Sequence, residues 1–240
     1  MNVQHTWLPL DYHKHGPIWI KGDTHWERTW RANPTAKEPW TVAWIESLPS
    51  DTVLYNVGAN VGSYALIAGK RGILTYAFEP GFANYAALCS NVIANNLADW
   101  VLPVPVGLSF TDGIGVFDYT RTEAGAAMHV ASALRLGFPY RERRLPAVYY
   151  TLDTFAELAF APPTHLLIDV DGHEAAVLTG AEKTLPHVRS ALVEMTDTDD
   201  RLISDTIEHL TKAGLELVAR FDERDGRRID GVWYGIFARS

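Results

Sequence analysis

"YNVGANVGSYAL", residues 55 to 66, decides the fold of this chain. The apolar run Thr52-Val53-Leu54-Tyr55 leading into it reads as a buried strand, and the Ala/Leu/Ile-rich segment from Ser63 to Lys70 reads as a helix. Between them stand Gly58, Asn60 and Gly62. Glycines at a strand-to-helix turn let the backbone approach another group with no Cβ in the way. The first turn of the helix also leaves amide N–H groups pointing outward. The stretch reads either as a ligand cradle or as a bare tight turn.

Working outward, strands and helices alternate from Thr52 onward. Strands are predicted near 52–57, 73–79, 100–106, 147–151, 165–170, 189–195, 215–220 and 231–238. Helices are predicted near 62–70, 81–96, 152–159, 174–185 and 199–213, with an earlier one from Pro34 to Leu48. On the helix at 81–96, Phe82, Tyr85, Ala86, Cys89, Val92 and Ile93 share one face of period 3.6, with Asn84, Asn91 and Asn95 off it. Such alternation implies an α/β fold with a mainly parallel sheet covered on both faces.

Two regions fall outside this rhythm. Six of the eight tryptophans lie within the first 44 residues (Trp7, Trp19, Trp26, Trp30, Trp40 and Trp44). Residues 1–50 therefore read as an arm or cap packed on a main domain of residues 51–240. A subunit contact in a homo-oligomer, or a substrate-facing lid, is the alternative. Residues 107–146 form an excursion that holds a short β-like piece, Ile114 to Tyr119, and the basic stretch "YRERRLP". Its Arg141, Arg143 and Arg144 read as a solvated face.

The bulk numbers narrow the class. The 240 residues are 47% hydrophobic and 21% charged, enough for a full-sized core. A net charge of −8 argues against a nucleic-acid or anionic-membrane partner. The single cysteine, Cys89, excludes an internal disulfide and a Cys-rich metal site, and it reads as a buried thiol. No apolar run approaches a membrane span and the first residues carry no signal-peptide core, so a cytoplasmic location is expected.

Ligands of open α/β sheets sit beyond the carboxyl ends of the strands. In "YAFEPGFANY", residues 76–85, Glu79 closes the second strand, roughly 20 positions past Gly58, where an acid accepts hydrogen bonds from both hydroxyls of a ribose. The glycine spacing is G-x-x-x-G, neither the dinucleotide G-x-G-x-x-G nor a phosphate-binding Gly-Lys-Ser/Thr loop. A nucleoside without phosphates fits this pattern, and S-adenosyl-L-methionine is the common one. In "HLLIDVDGHEAAVLTGAEKTL", residues 165–185, strand alternation puts Asp169 and Asp171 on the same side, followed by His173 and Glu174. A capping box with Asp171 as N-cap and Glu174 three residues on explains part of this. Histidine beside two carboxylates is also equipment for taking a proton from a hydroxyl. Alternatively Asp169 and Asp171 hold a divalent cation such as Mg²⁺ through oxygen.

Together, "NVGANVGSYAL", "FEPGFANYAALCSNVIANN", "TLDTF" and "LLIDVDGHEAAVLTGAEKTL" resemble the FkbM family of S-adenosylmethionine-dependent O-methyltransferases over roughly residues 52–195. The resemblance implies a class I methyltransferase, Rossmann-like fold. Its sheet has seven strands and helices on both faces, with "GVWYGIFARS" as the antiparallel last strand. It further implies that Asn56, Gly58, Ala59, Asn60, Gly62 and Ser63 surround the methionine part of the cofactor. Glu79 and Pro80 would then lie at the ribose and Val106 to Ser109, with Gly107, at the adenine. Asp169, Asp171, His173 and Glu174 would line the methyl-transfer site, with Asp169 also facing the cofactor. The chain departs from the family pattern in carrying Asn56 for Asp, Leu167 for Lys, Asp171 for Glu and Thr154 for a second acid.

The activity expected is methyl transfer to a hydroxyl of a sugar, glycan or secondary metabolite, with His173 as base and Asp171 or Asp169 orienting it. A nicotinamide-dependent oxidoreductase on the same kind of sheet is one rival, weakened by the missing G-x-G-x-x-G. The other is a cofactor-binding protein without catalysis, which has no use for the acid and histidine cluster.

Overall fold

The computed structural model describes residues 5–127, 129–132, 143–196, 200–224, 227–228 and 231–239. Within residues 53–238 a seven-stranded sheet is built from β3 (Val53–Val57), β4 (Leu74–Phe78), β5 (Val101–Val104), β10 (His165–Ile168), β11 (Ser190–Thr196), β12 (Glu216–Phe221) and β15 (Val232–Ala238). Their order is β12-β15-β11-β10-β3-β4-β5. β15 pairs antiparallel with both neighbours, while β11-β10-β3-β4-β5 are parallel. The sequence moves outward from β3 through β4 to β5, then returns to β10 on the other side. The carboxyl ends of β3 and β10 therefore form the switch point where such sheets bind ligands.

Both faces of the sheet are covered. One core gathers Leu54, Ala77, Leu167 and Leu192 from the sheet with α2 (Pro39–Ser47), α3 (Ser63–Lys70), α4 (Phe82–Ala94) and the N-terminal arm. The other gathers Tyr55, Phe78, Ile168 and Val193 with α5 (Leu152–Leu158), α6 (Glu174–Thr179) and α7 (Asp200–Lys212). Alternate residues of each strand feed opposite cores, so the central strands read as continuous apolar runs. No helix among the described residues is long and apolar enough to cross a membrane.

The predicted helix from Pro34 to Leu48 is two helices, α1 (Pro34–Lys37) and α2. Pro39 has no N–H to continue the ladder and keeps the preceding Glu38 out of the helical region, at φ −141°. The helix predicted at 174–185 stops at Thr179, and Gly180 follows it as C-cap. The predicted strand at 147–151 belongs to a separate four-stranded sheet of order β6-β9-β7-β8. These strands are β6 (Gly107–Leu108), β7 (Gly113–Asp118), β8 (Val130–Ser132) and β9 (Arg144–Tyr150), while β13 (Glu223–Arg224) and β14 (Arg227–Arg228) pair, among the described residues, only with each other. Of the basic stretch, Arg144 is half-buried in an ion pair with Asp118, and Arg143 donates to the Thr120 carbonyl at 2.7 Å. Arg141 lies outside the described residues.

The apolar face predicted for α4 holds at Val92, and at Tyr85, half-buried against the core, but not at Phe82, Ala86 or Ile93. Asn84, Ala87, Leu88, Asn91 and Val92 are buried, while Phe82 and Ile93 are 52% and 71% exposed. Cys89 is only half-buried. The asparagines face inward because they substitute for missing backbone partners. Asn91 accepts from the Lys21 amide at 2.9 Å and donates to the Val61 carbonyl at 2.8 Å. Asn95 does the same for the amide and carbonyl of Trp19, at 2.8 and 2.6 Å. Lys21 and Trp19 belong to the arm's hairpin of β1 (Trp7–Pro9) and β2 (Trp19–Lys21), so α4 caps its edge with side-chain amides. Trp40 and Trp44 are buried, whereas Trp7, Trp19 and Trp30 are exposed.

Asn91→Ala should therefore cost about 1–3 kcal/mol, the range for stranding buried polar groups. Ile93→Ala should stay within about 0.5 kcal/mol, as for other exposed positions. Urea denaturation of both variants checks this reversal of what hydrophobic periodicity predicts.

Candidate active site

The turn after β3 is shaped by a single close approach. Gly58 sits at φ +83°, and a Cβ there would lie 1.9 Å from the Asp169 carbonyl oxygen at the end of β10. The Asp169 amide in turn donates to the Val57 carbonyl at 3.0 Å. Glycine is thus demanded by the neighbouring strand. Asn60 follows in the left-handed region at φ +52°, and its side-chain oxygen accepts from the Val61 amide at 2.9 Å. Gly62, at φ +95°, faces Leu88 of α4, and a Cβ would meet that side chain at 2.4 Å.

A cleft opens over these strand ends. Its larger lobe encloses about 800 Å³ of empty space counting the mouth, and a smaller lobe of about 320 Å³ adjoins it. Arg31, Lys37, Gly58, Asn60 and Asp169 line both lobes, so the two are parts of one site. Of the other residues picked out from the sequence, Glu79, Pro80, Gly107, Asp171 and His173 line the larger lobe, and Ala59 and Ser63 the smaller. Asn56, Gly62 and Glu174 line neither. Asn56 is buried within β3, and its Nδ2 has no hydrogen-bond partner among the described residues. Glu174 accepts from the Gly172 amide at 3.0 Å, and His173 rather than Asp171 is the N-cap of α6.

Glu79 closes β4 and is buried. One carboxylate oxygen accepts the Asn60 amide at 2.9 Å and the other the Gly81 amide at 2.8 Å. Burial pushes its pKa from 4.5 up to about 7, with those two amides and the Asn84 side chain pulling it down. Each oxygen keeps lone-pair capacity for a further donor.

Asp169 is half-buried at the floor of the cleft. Its neighbours are not the ones that alternation implies. Carboxylate oxygens of Glu38, Asp169 and Glu194 lie within 4.8 Å of one another, and Lys37 forms an ion pair with Glu38. Burial raises the Asp169 pKa, Lys37 pulls it down, and Glu38 and Asp171 push it up. Asp171 turns outward at φ +51° and is exposed. His173 Nε2 lies 3.0 Å from Ser109 Oγ, and burial lowers its pKa, so the ring is neutral at pH 7.

Several lining residues come from segments whose sequence carries no motif. Arg31 and Lys37 come from the arm, Phe117 and His129 from the excursion, and Glu194 from the interior of β11. His129 packs between Phe117 and Tyr119, with ring centroids 5.3 and 5.4 Å away. The Thr120 amide donates to its Nδ1 at 3.3 Å, which leaves the proton of the neutral ring on Nε2. Asn60 and Asn84 both donate to the Ala126 carbonyl, at 2.8 and 3.3 Å, and so clasp the excursion onto the turn.

Strand order and the switch-point cleft define a class I, Rossmann-like methyltransferase fold. A structure of the CcbJ methyltransferase from Streptomyces caelestis superposes with a TM-score of 0.50 at 11% identity, covering 86% of this chain and 96% of that one. P. horikoshii TYW2 in complex with MeSAdo superposes at 0.51 and 11% identity, covering 97% and 69%. The family profile described as "Methyltransferase FkbM domain" matches residues 56–217, and the chain belongs to that family of methyltransferases. It is also 27% identical over 171 residues to the hexuronic acid methyltransferase AglP of Haloferax volcanii, covering 70% of this chain and 66% of that relative, just under two thirds of its length.

Gly58→Ala should lose more than the about 1–3 kcal/mol of a strained backbone alone, because the Asp169 carbonyl cannot move aside. Gly172→Ala, at φ +93° with nothing within 4 Å of a new Cβ, isolates the backbone cost. Chemical denaturation of the pair reads the difference.

Glu79 also makes stability fall with pH. Its folded pKa lies above the unfolded value, so its contribution is complete below pH 4.5 and lost as pH rises through about 7. Glu79→Gln should consequently gain stability relative to wild type between pH 5 and pH 8, as urea midpoints at the two pH values will report.

Proposed function

We propose that the cleft binds S-adenosyl-L-methionine and that its methyl group passes to an oxygen of a sugar or glycan acceptor. Glu79 carries the cofactor reading. A buried carboxylate with each oxygen anchored by one backbone amide is an acceptor pair for the two hydroxyls of a ribose. The rest of the donor set fits the same molecule. Asp169 and Glu194 offer carboxyl oxygens as acceptors to the ammonium group, and Gly107 lines the same cleft with Val106 and Leu108. The family and the uronic acid relative support a carbohydrate acceptor.

The bound cofactor supplies an electrophilic methyl on a sulfonium. The protein's part is to align the acceptor oxygen and take its proton, because an alcohol is far too weak an acid to ionise at pH 7. His173 serves as the base. In the tautomer whose Nε2–H donates to Ser109 Oγ, Nδ1 presents its lone pair to the acceptor, and burial lowers the pKa of the ring. Its ring partner is thus Ser109 and not a carboxylate. Against the Mg²⁺ version stands Lys37, an ammonium already placed among the acids that surround Asp169.

Glu79→Ala should weaken S-adenosylmethionine binding by about 1.5–3 kcal/mol, measured by titration calorimetry. Unchanged affinity would remove the ribose assignment. His173→Ala should lower turnover by roughly 10²–10⁴-fold while leaving cofactor affinity within a factor of two. Activity should survive exhaustive EDTA treatment, and loss restored by Mg²⁺ would transfer the proton chemistry to a metal.

A further inference from the structure

Arg31 ends the wide helical turn Glu27–Arg31 of the arm and lines both lobes of the cleft. It is held in place from two sides. Its backbone carbonyl accepts from Ser63 Oγ at 2.7 Å, at the start of α3. Its Nε donates to the Gly125 carbonyl at 2.9 Å, and the Gly125 amide is itself fixed by Asn84 Oδ1 at 2.8 Å. That leaves the four N–H groups of the two terminal nitrogens. Among the described residues no carboxylate lies within ion-pair distance of them. Lys37, the other cation of the cleft, is paired with Glu38.

We propose that Arg31 binds the amino-acid carboxylate of S-adenosylmethionine, a contact that rests on the cofactor reading above. Two features of the cleft lead there. The first is direction. Glu79 holds the Asn60 amide, so a ribose at Glu79 lies against the turn, and Gly58 and Asn60 lead from there into the smaller lobe. A ligand extending from Glu79 along the turn ends at Arg31, just as the carboxylate ends the cofactor opposite its ribose. The second is charge. Asp169, Asp171, Glu79 and Glu194 line the cleft with carboxyl groups, which accept from an ammonium and offer no positive charge to an anion. The one anionic group of the cofactor needs a cation, and a guanidinium fork fixed at Nε takes a carboxylate through two parallel hydrogen bonds.

Two probes separate this contact from the rest of the site. S-adenosylhomocysteine carries the amino-acid end, and 5′-methylthioadenosine keeps the adenosine and thioether without it. By calorimetry, Arg31→Gln should weaken S-adenosylhomocysteine by roughly 10- to 100-fold, as for hydrogen bonds to a charged group. It should leave 5′-methylthioadenosine within twofold, which also shows that the variant is folded. Arg31→Lys should recover only part of the loss, since an ammonium cannot make the bidentate contact. Equal losses for both probes would make Arg31 a residue that merely anchors the arm. No loss for S-adenosylhomocysteine, or a loss confined to a uronic acid acceptor, would likewise overturn the assignment. If wild-type protein bound neither probe, the cofactor reading would fall first, and with it this contact.

Discussion

The ends of β3 and β10 approach so closely that the Asp169 carbonyl occupies the place of a side chain at Gly58. The rest of the site depends on that contact. Parallel strands whose connections leave in opposite directions at a switch point leave a crevice beyond their carboxyl ends. With no Cβ at 58, the turn lies flat against β10. Asn60 then reaches the Glu79 carboxylate with its amide and the excursion with its side chain. Any larger residue at 58 would lift the turn and detach it from both.

From this contact the charges of the cleft follow. Asp169 is carried to the floor by β10, where Glu38 and Glu194 converge on it. Three carboxylates gathered with little water would repel one another unless protonated or neutralised. Lys37 answers part of this. Its ion pair brings Glu38 below the usual carboxylate range although burial alone would raise it, while burial and the nearby acids hold Glu194 well above. The arm thus does more than cover apolar surface. It brings Lys37 and Arg31, the cations that line the cleft, to a sheet edge lined with acid.

Beside the apolar core that the arm shares with the sheet, asparagines fasten the arm and the excursion in place. Asn91 and Asn95 grip the β1–β2 hairpin, and Asn60 and Asn84 grip the loop around Gly125. Side-chain amides suit this task because each has a donor and an acceptor and can stand in for a missing strand partner. The same device explains the inversion of α4. Hydrophobic periodicity ranks residues by their affinity for oil, but here the buried face must satisfy backbone groups of other segments, and Phe82 and Ile93 are left outside.

Local chemistry was enough for much of this protein. Strand and helix alternation from Thr52, the glycine turn, Glu79 at the end of β4 and the Asp-Val-Asp-Gly-His run were legible because each depends on neighbours a few residues away. The seven-stranded sheet followed from the alternation joined to the family likeness. Pro39 was readable too, and it breaks the single helix expected over residues 34–48. What the sequence did not contain was the pairing of distant segments. Arg31, Lys37, His129 and Glu194 meet in one cleft only because the arm and the excursion fold back over the switch point. Their spacing along the chain carries no period or motif to announce it. Sequence determined which backbone each stretch would form, since that is set by short-range sterics and hydrogen bonding. Tertiary structure alone decided which charges face one another, because electrostatics acts through space and is indifferent to position along the chain.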